Sequence, residues 1–218
     1  MSDSCPIKIH PSAVVDEGAV IGDGTAIWHF SHICAGAVIG NRCSLGQNVL
    51  VADNASLGNN VKVQNNVAIY GGITVEDDVF LGPSCVLTNV TNPRSQVSRK
   101  SLYEKTLIKR GATIGANATI ICGITLGRYC FIGAGAVVTK DIPDYGLVLG
   151  NPGKLSGYMS RHGHKLTFDE SGRATCPESK FVYEKLEQQV RCLDLNEDDP
   201  LPSELSFGSQ DYDSFKHR

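Results

Sequence analysis

Aromatic residues are scarce in this 218-residue chain, at 7% with a single Trp, and proline is scarcer still at 9 residues. There are too few aromatics for an ordinary aromatic-cored sandwich and too little proline for collagen or a Pro-rich linker. Nowhere do eighteen apolar residues run together, and the opening segment MSDSCPIKIHPSAVV lacks a basic stretch followed by an apolar one. The expectation is a cytoplasmic chain that inserts into no membrane. An excess of charge of either sign is missing too: 20 Lys and Arg stand against 23 Asp and Glu, for a net charge of -3. No global field draws such a chain to nucleic acid, and no nucleic-acid partner is expected. The eight cysteines form no C-x-x-C pair, so they are expected to be small buried hydrophobes, and no metal is expected.

Glycine, by contrast, is abundant at 23 residues and punctuates a strict repeat. From Ile9 to Leu87 an aliphatic residue recurs every six positions, fourteen times in one register, and the pattern returns six more times from Ile108 to Val138. Four positions after each comes a small or β-branched residue or a cysteine, from Ala13 to Thr91 and again from Ala112 to Ile142. Period six is neither the 3.6 of a helix nor simple alternation. It fits a coil with flat faces, where one residue of each hexad points inward, the small one fills a corner, and successive coils pair as parallel strands about 4.8 Å apart. Three hexads per coil make a triangular prism of nearly seven coils, about 30 Å long. Asn and Gly recur where corners are needed, as in GDGT, GNRC, GNNV and GANA, because they reach left-handed backbone angles most readily. Periodicity alone fits either hand.

The hexads AVIGDGT, AVIGNRC, ATIGANATIICGITLG and FIGAGAVVTKDIP resemble those of the left-handed β-helix acyltransferases, and the likeness spans residues 9–155. It implies an all-β, left-handed parallel β-helix, an exception to the right-handed crossover rule. It further implies a homotrimer with three equivalent clefts between neighbouring prisms, and acetyl-CoA as cosubstrate along each cleft. The expected division is a β-helix domain over 1–155, with an external loop at 93–107, and a small C-terminal extension over 156–218. In the extension the turn signal DESG between alternating runs favours a small β-meander, although FVYEKLEQQV also reads as a helix. Beyond Asn196 the acidic tail is expected to be partly disordered or draped over a neighbour.

The repeat breaks once, after Asn92, and an insertion into so strict a register is expected to be an external corner loop on a binding face. Between Pro93 and Arg110 it carries Arg94, Arg99, Lys100, Lys105, Lys109 and Arg110 against the single acid Glu104, a charge that suits a phosphorylated ligand. The segments VFLGPSCVLTNVTNPRS, TLIKRGATIGANATIICG and GAVVTKDIPDYGLVLGNPGKLSG resemble a narrower family. These are bacterial N-acetyltransferases acting on the 3-amino group of UDP-2-acetamido-3-amino-2,3-dideoxy-glucuronate in lipopolysaccharide O-antigen synthesis. A nearby branch with the same T-N and P-R elements resembles enzymes acetylating dTDP-3-amino-3,6-dideoxyhexoses. The UDP-uronate is the substrate this resemblance implies, the dTDP sugar is the alternative, and a non-enzymatic scaffold is a third reading. A carbonic anhydrase would need three zinc-ligating histidines on the coils, where only His29 and His32 lie centrally.

The resemblance gives Asn89, of the T-N element, the role of holding the attacking amine, and a plain corner asparagine is the competing reading. Arg94 has the fork to clamp a carboxylate or diphosphate, against an external salt bridge. Asn65 and Tyr70 lie about one coil earlier and are candidates for the same cleft. His29 and His32 sit in IWHFSH, whose aromatic character departs from every other hexad, and are candidates for an interface or for uracil stacking, with His29 the first to test as a base. For acetyl-CoA the resemblance points to the backbone of Gly133 and Ala134 against the pantetheine amides. Arg128, Lys140 and Lys154 are candidates for its phosphates, and all three also read as solvated charges.

Overall fold

A computed structural model describes residues 5–208 and 212–215. Each hexad contributes a two-residue strand followed by a tight corner, and residues 18 apart stack. Three parallel sheets result. The first face runs from Lys8–Ile9 through Lys62–Val63 to Phe131–Ile132 and Gly146–Leu149. The second stacks Val14–Val15, His32–Ile33, Leu50–Val51 and Ala68–Ile69, and continues in a separate ladder from Val86–Leu87 to Val137–Val138. The third runs from Val20–Ile21 to Thr125–Leu126. The chain is a left-handed parallel β-helix with an additional antiparallel sheet and little helix.

Burial follows the sequence pattern. The hexad aliphatics from Ile27 to Val138 form one continuous core, with Ile33, Ile69, Leu81 and Ile114 wholly inaccessible. Ile9, on the first coil, has no coil beneath it and is 46% exposed. Polar residues in the second inward slot are satisfied there: Thr25 and Ser31 donate to the carbonyls of Gly40 and Gly46, each at 2.8 Å. Corners use the left-handed region as anticipated, with Asn48, Asn54, Asn60, Asn66 and Asn117 at φ between 56° and 63°. Phe30, Arg42, Ser84 and Tyr129 also adopt it, so neighbouring coils hold these bulkier residues against their intrinsic preference.

One inward position departs from the pattern. Thr91 was the expected slot after Leu87, but it is exposed and Thr106 is buried in its place, paired with Ile73. The chain leaves the prism earlier than the hexad count suggests, after Leu87, because Thr91 bonds to Glu104 across the base of the insertion. The register jump confirms the excursion: Leu87 pairs with Ile120 and Val75 with Ile108, 33 residues on instead of 18.

Beyond the last coil, Lys154–Met159 and Lys165–Leu166 extend the first face as antiparallel strands. Arg173–Thr175, Val182–Leu186 and Gln189–Cys192 form a three-stranded meander, so FVYEKLEQQV is strand and turn and not helix. The aromatics missing from the prism gather here: Tyr129, Tyr145, Tyr158 and Tyr183 build a second core against Leu166, Cys176 and Val190. The tail returns to its own chain. The Tyr129 hydroxyl donates to the Glu197 carbonyl at 2.7 Å, the Tyr145 hydroxyl donates to the Glu197 carboxylate, and Arg161 donates to the Asn196 carbonyl. The expectation of a disordered or neighbour-draped tail is thus corrected for its described part, where these buried donors capture it, whereas 209–211 and 216–218 lie outside the described residues. No helix among the described residues is long and apolar enough to cross a membrane.

Truncating one link of the inward stack leaves a void that the coils above and below restrain from collapsing. Ile69→Ala is expected to lower the stability read by urea denaturation by about 2–5 kcal/mol. The outward Thr113→Ala is expected to change it by no more than about 0.5 kcal/mol.

Candidate active site

The insertion at the corner between the second and third faces builds a cleft of about 880 Å³, lined among others by Tyr70, Asn89, Arg94, Arg99 and Tyr103. Its base is a staple. The Glu104 N–H donates to the Asn89 carbonyl at 3.0 Å, and the Glu104 carboxylate accepts from the Thr91 N–H at 3.1 Å and from the Thr91 hydroxyl. The Thr91 hydroxyl holds the Glu104 carboxyl below its ordinary value. Further along, Arg99 Nε donates to the Asn92 carbonyl at 3.0 Å, and a short bridge joins Arg94 to Val97. One end of the Arg94 guanidinium donates to the Pro93 carbonyl at 3.1 Å, and among the described residues no carboxylate forms an ion pair with the group. An exposed fork beside an asparagine carboxamide is an arrangement able to take a phosphate or carboxylate while orienting an amine.

Three of the residues named from the sequence, Asn89, Arg94 and Tyr70, meet in this cleft. Asn65 does not. It stands at the corner between the first and second faces, where its side-chain oxygen accepts from the Gln47 N–H at 2.8 Å and ties two coils together. His29 shares that corner, and with Trp28, Gln47 and Asn65 it lines a shallower cavity of about 450 Å³. Its ring stacks on His10 with centroids 3.5 Å apart, and its buried Nδ1 has no hydrogen-bond partner among the described residues.

The residues named for acetyl-CoA lie on different corners. Gly133 and Ala134 continue the corner of His29 and Asn65. The Gly133 N–H already donates to the Val148 carbonyl at 2.8 Å, which leaves Ala134 as the exposed member. Lys140 is exposed at the corner of Asn89, and Lys154 is exposed on the strand beyond the last coil. Arg128 lies at the third corner, held by Asp198 of the tail at 3.2 Å. Sequence reasoning did not give Glu104 or Tyr103 a role. The signal for Glu104 was present in the one carboxylate kept among six cations. Tyr103 gave none, because only the folded loop lays it over the close turn at Gly71 and Gly72.

Comparison with known proteins bears on this geometry. The family described as bacterial transferase hexapeptide (six repeats) matches residues 18–53, 54–89 and 105–140. The dTDP-3-amino-3,6-dideoxy-alpha-D-galactopyranose 3-N-acetyltransferase of Aneurinibacillus thermoaerophilus is 44% identical over 175 residues, covering 80% of this chain and 88% of that protein. The galactoside O-acetyltransferase of Lactococcus lactis subsp. lactis is 31% identical over 102 residues, 42% of this chain and 49% of that one. Among solved structures, PerB from Caulobacter crescentus in complex with CoA and GDP-perosamine is similar at 27% identity and a TM-score of 0.45, covering 71% of this chain and 58% of that one. On the matched repeats and the extent of likeness to the Aneurinibacillus enzyme, the chain belongs to the hexapeptide-repeat family of left-handed β-helix acetyltransferases.

Proposed function

We propose that the chain is an acetyl-CoA-dependent N-acetyltransferase of a nucleotide-linked 3-amino sugar, and that this sugar is a dTDP-3-amino-3,6-dideoxyhexose. The observation that carries the reading is the cleft of Asn89, Arg94 and Tyr70 beneath a basic loop, in a chain 44% identical to an enzyme named for that substrate. The UDP-uronate suggested by the short motifs becomes the second choice. A 3,6-dideoxyhexose has no carboxylate, so Arg94 acts on the diphosphate.

In the proposed reaction the neutral 3-amine attacks the thioester carbonyl, a C–N bond forms, and the C–S bond breaks as the tetrahedral intermediate collapses. The departing coenzyme sulfur takes the proton that the nitrogen sheds. Because a thiolate leaves readily, the protein contributes mainly by positioning: Asn89 orients the amine, and Arg94 and Arg99 hold the nucleotide phosphates. The cleft is completed in a homotrimer, where the corner of Asn89 on one prism faces the corner of Asn65, His29 and Ala134 on its neighbour. What supports that arrangement is the outward file of the second face, Val14, His32, Leu50, Ala68, Val86, Thr119 and Val137, which holds no Asp, Glu, Lys or Arg and includes Val14 and Val86 at 54% and 48% exposure. Such a file suits the threefold axis, and turning it there brings the two corners together.

A thiol-release assay is expected to give a kcat/KM at least about tenfold higher for a dTDP-3-amino-3,6-dideoxyhexose than for UDP-2-acetamido-3-amino-2,3-dideoxy-glucuronate, a difference of about 1.4 kcal/mol. The opposite preference would restore the uronate, and turnover of neither would end the reading. Asn89→Ala is expected to lower kcat by about 10²-fold or more with an unchanged melting temperature, since a carboxamide oxygen that accepts from the amine N–H only at the reacting centre contributes little to folding. For Glu104→Gln we expect a raised KM for the sugar nucleotide at neutral pH. In the wild type the carboxylate is held low, so its hold on Thr91 persists through the ordinary carboxylate range and fails only as pH drops below it.

A further inference from the structure

The prism sets Asp16 beside His32 and Cys34, on the corner that carries Tyr70 further along but outside the lining of the acetyl-transfer cleft. Asp16 and Cys34 occupy the same corner position on the first and second coils, and His32 projects from the strand just before Cys34. One donor atom from each, a carboxylate oxygen, an imidazole nitrogen and the thiol sulfur, lies within 4.8 Å of the other two. His32 Nε2 is 3.0 Å from Asp16 Oδ2, and within one chain their side chains are 47% and 40% exposed, although His32 also belongs to the file proposed for the threefold axis. From these donors we infer that Asp16, His32 and Cys34 form a binding site for a divalent transition-metal ion of the zinc type.

The donor set suits that class. Zinc takes sulfur, imidazole nitrogen and carboxylate oxygen at about 2.0–2.3 Å, and three protein donors with a fourth position left to water is the arrangement of its open sites. Magnesium and calcium, which prefer oxygen, are poorly matched by a thiol and an imidazole. Rigidity favours binding as well, because each donor is fixed by backbone bonds to the next coil: the Asp16 N–H donates to Ile33 and the Cys34 N–H to Val51, each at 2.9 Å. On binding, the Cys34 S–H releases its proton to water and a sulfur–metal bond forms, and the His32–Asp16 contact is exchanged for bonds from both to the ion. All three donors come from one chain, and His32 sets the site at the edge of the proposed trimer contact. Linear spacing hid it: positions 16 and 34 form no short motif, and only the 18-residue coil stacks them.

The test uses the untagged full chain, stripped with a chelator and titrated with Co²⁺ as a spectroscopic probe. One equivalent per chain is expected to bind, with a sulfur-to-cobalt charge-transfer band in the near ultraviolet and the strong visible bands of a low-coordinate site. Zn²⁺ is expected to bleach both. Cys34→Ser should abolish the charge-transfer band, His32→Ala and Asp16→Asn should each weaken binding at least tenfold, and Cys5→Ser, at an exposed thiol away from the site, should change nothing. Circular dichroism and melting establish that each variant is folded, and the His32 and Asp16 variants carry the test if Cys34→Ser is not. The absence of a charge-transfer band in the wild type, its persistence in folded Cys34→Ser, or undiminished binding in both other variants would overturn the site.

Discussion

The stacking of one aliphatic side chain per hexad inside a narrow prism is the constraint on which the rest of this molecule depends. Ile27, Leu45, Val63, Leu81, Ile114 and Ile132 pile in a single file behind the first face, and equivalent files lie behind the other two. A filled interior of this kind has no room for a pocket, so ligands are left to the corners and to the gaps between prisms. It also dictates where additional chain can go. The insertion after Leu87 leaves at a corner and rejoins at Thr106 with the inward register intact, and everything required of it, the basic charge, the Glu104 staple and the cleft over Asn89, lies outside the core.

The same repeat explains which features were legible in the sequence. A period of six names the inward residues, the corners and the parallel pairing directly, because each hexad performs one local task and repeats it. The left hand came from family likeness and not from the period. What escaped were relations that run across coils. Thr91 fits the hexad pattern, yet Glu104 draws it out into the loop and Thr106 fills the slot. Asn65 and Asn89 look one coil apart when counted along the chain, but they occupy different corners. Asp16 and Cys34 look remote and lie side by side. The tail, acidic and proline-bearing, reads as loose. Its capture by Tyr129, Tyr145 and Arg161 depends on an aromatic cluster that exists only after the meander folds over the end of the prism.

Function is built on this scaffold by adding side chains to corners. At the second corner the loop assembles an amide, an exposed guanidinium fork and further cations around a cleft whose floor is the rigid coil. At the first corner the groups are of another kind: a histidine stacked on a histidine, an amide hydrogen bond from Asn48 to Asn66 beside the hydrogen bond from Gln47 to Asn65 and, further along, the exposed Ala134. Neither corner alone holds two large substrates. Their complementarity, and the apolar file on the face between them, are the physical grounds for an active site divided between two chains.

That division is most directly tested by mixing subunits. Chains carrying Asn89→Ala and chains carrying Ala134→Trp are each expected to be inactive as pure oligomers. Unfolded together in equal amounts and refolded, they assort at random, and about one site in four then receives both intact corners. The account predicts recovery of about a quarter of wild-type acetyl transfer from the mixture. Activity no greater than that of the separate variants would contradict it, and would return both corners to a single chain.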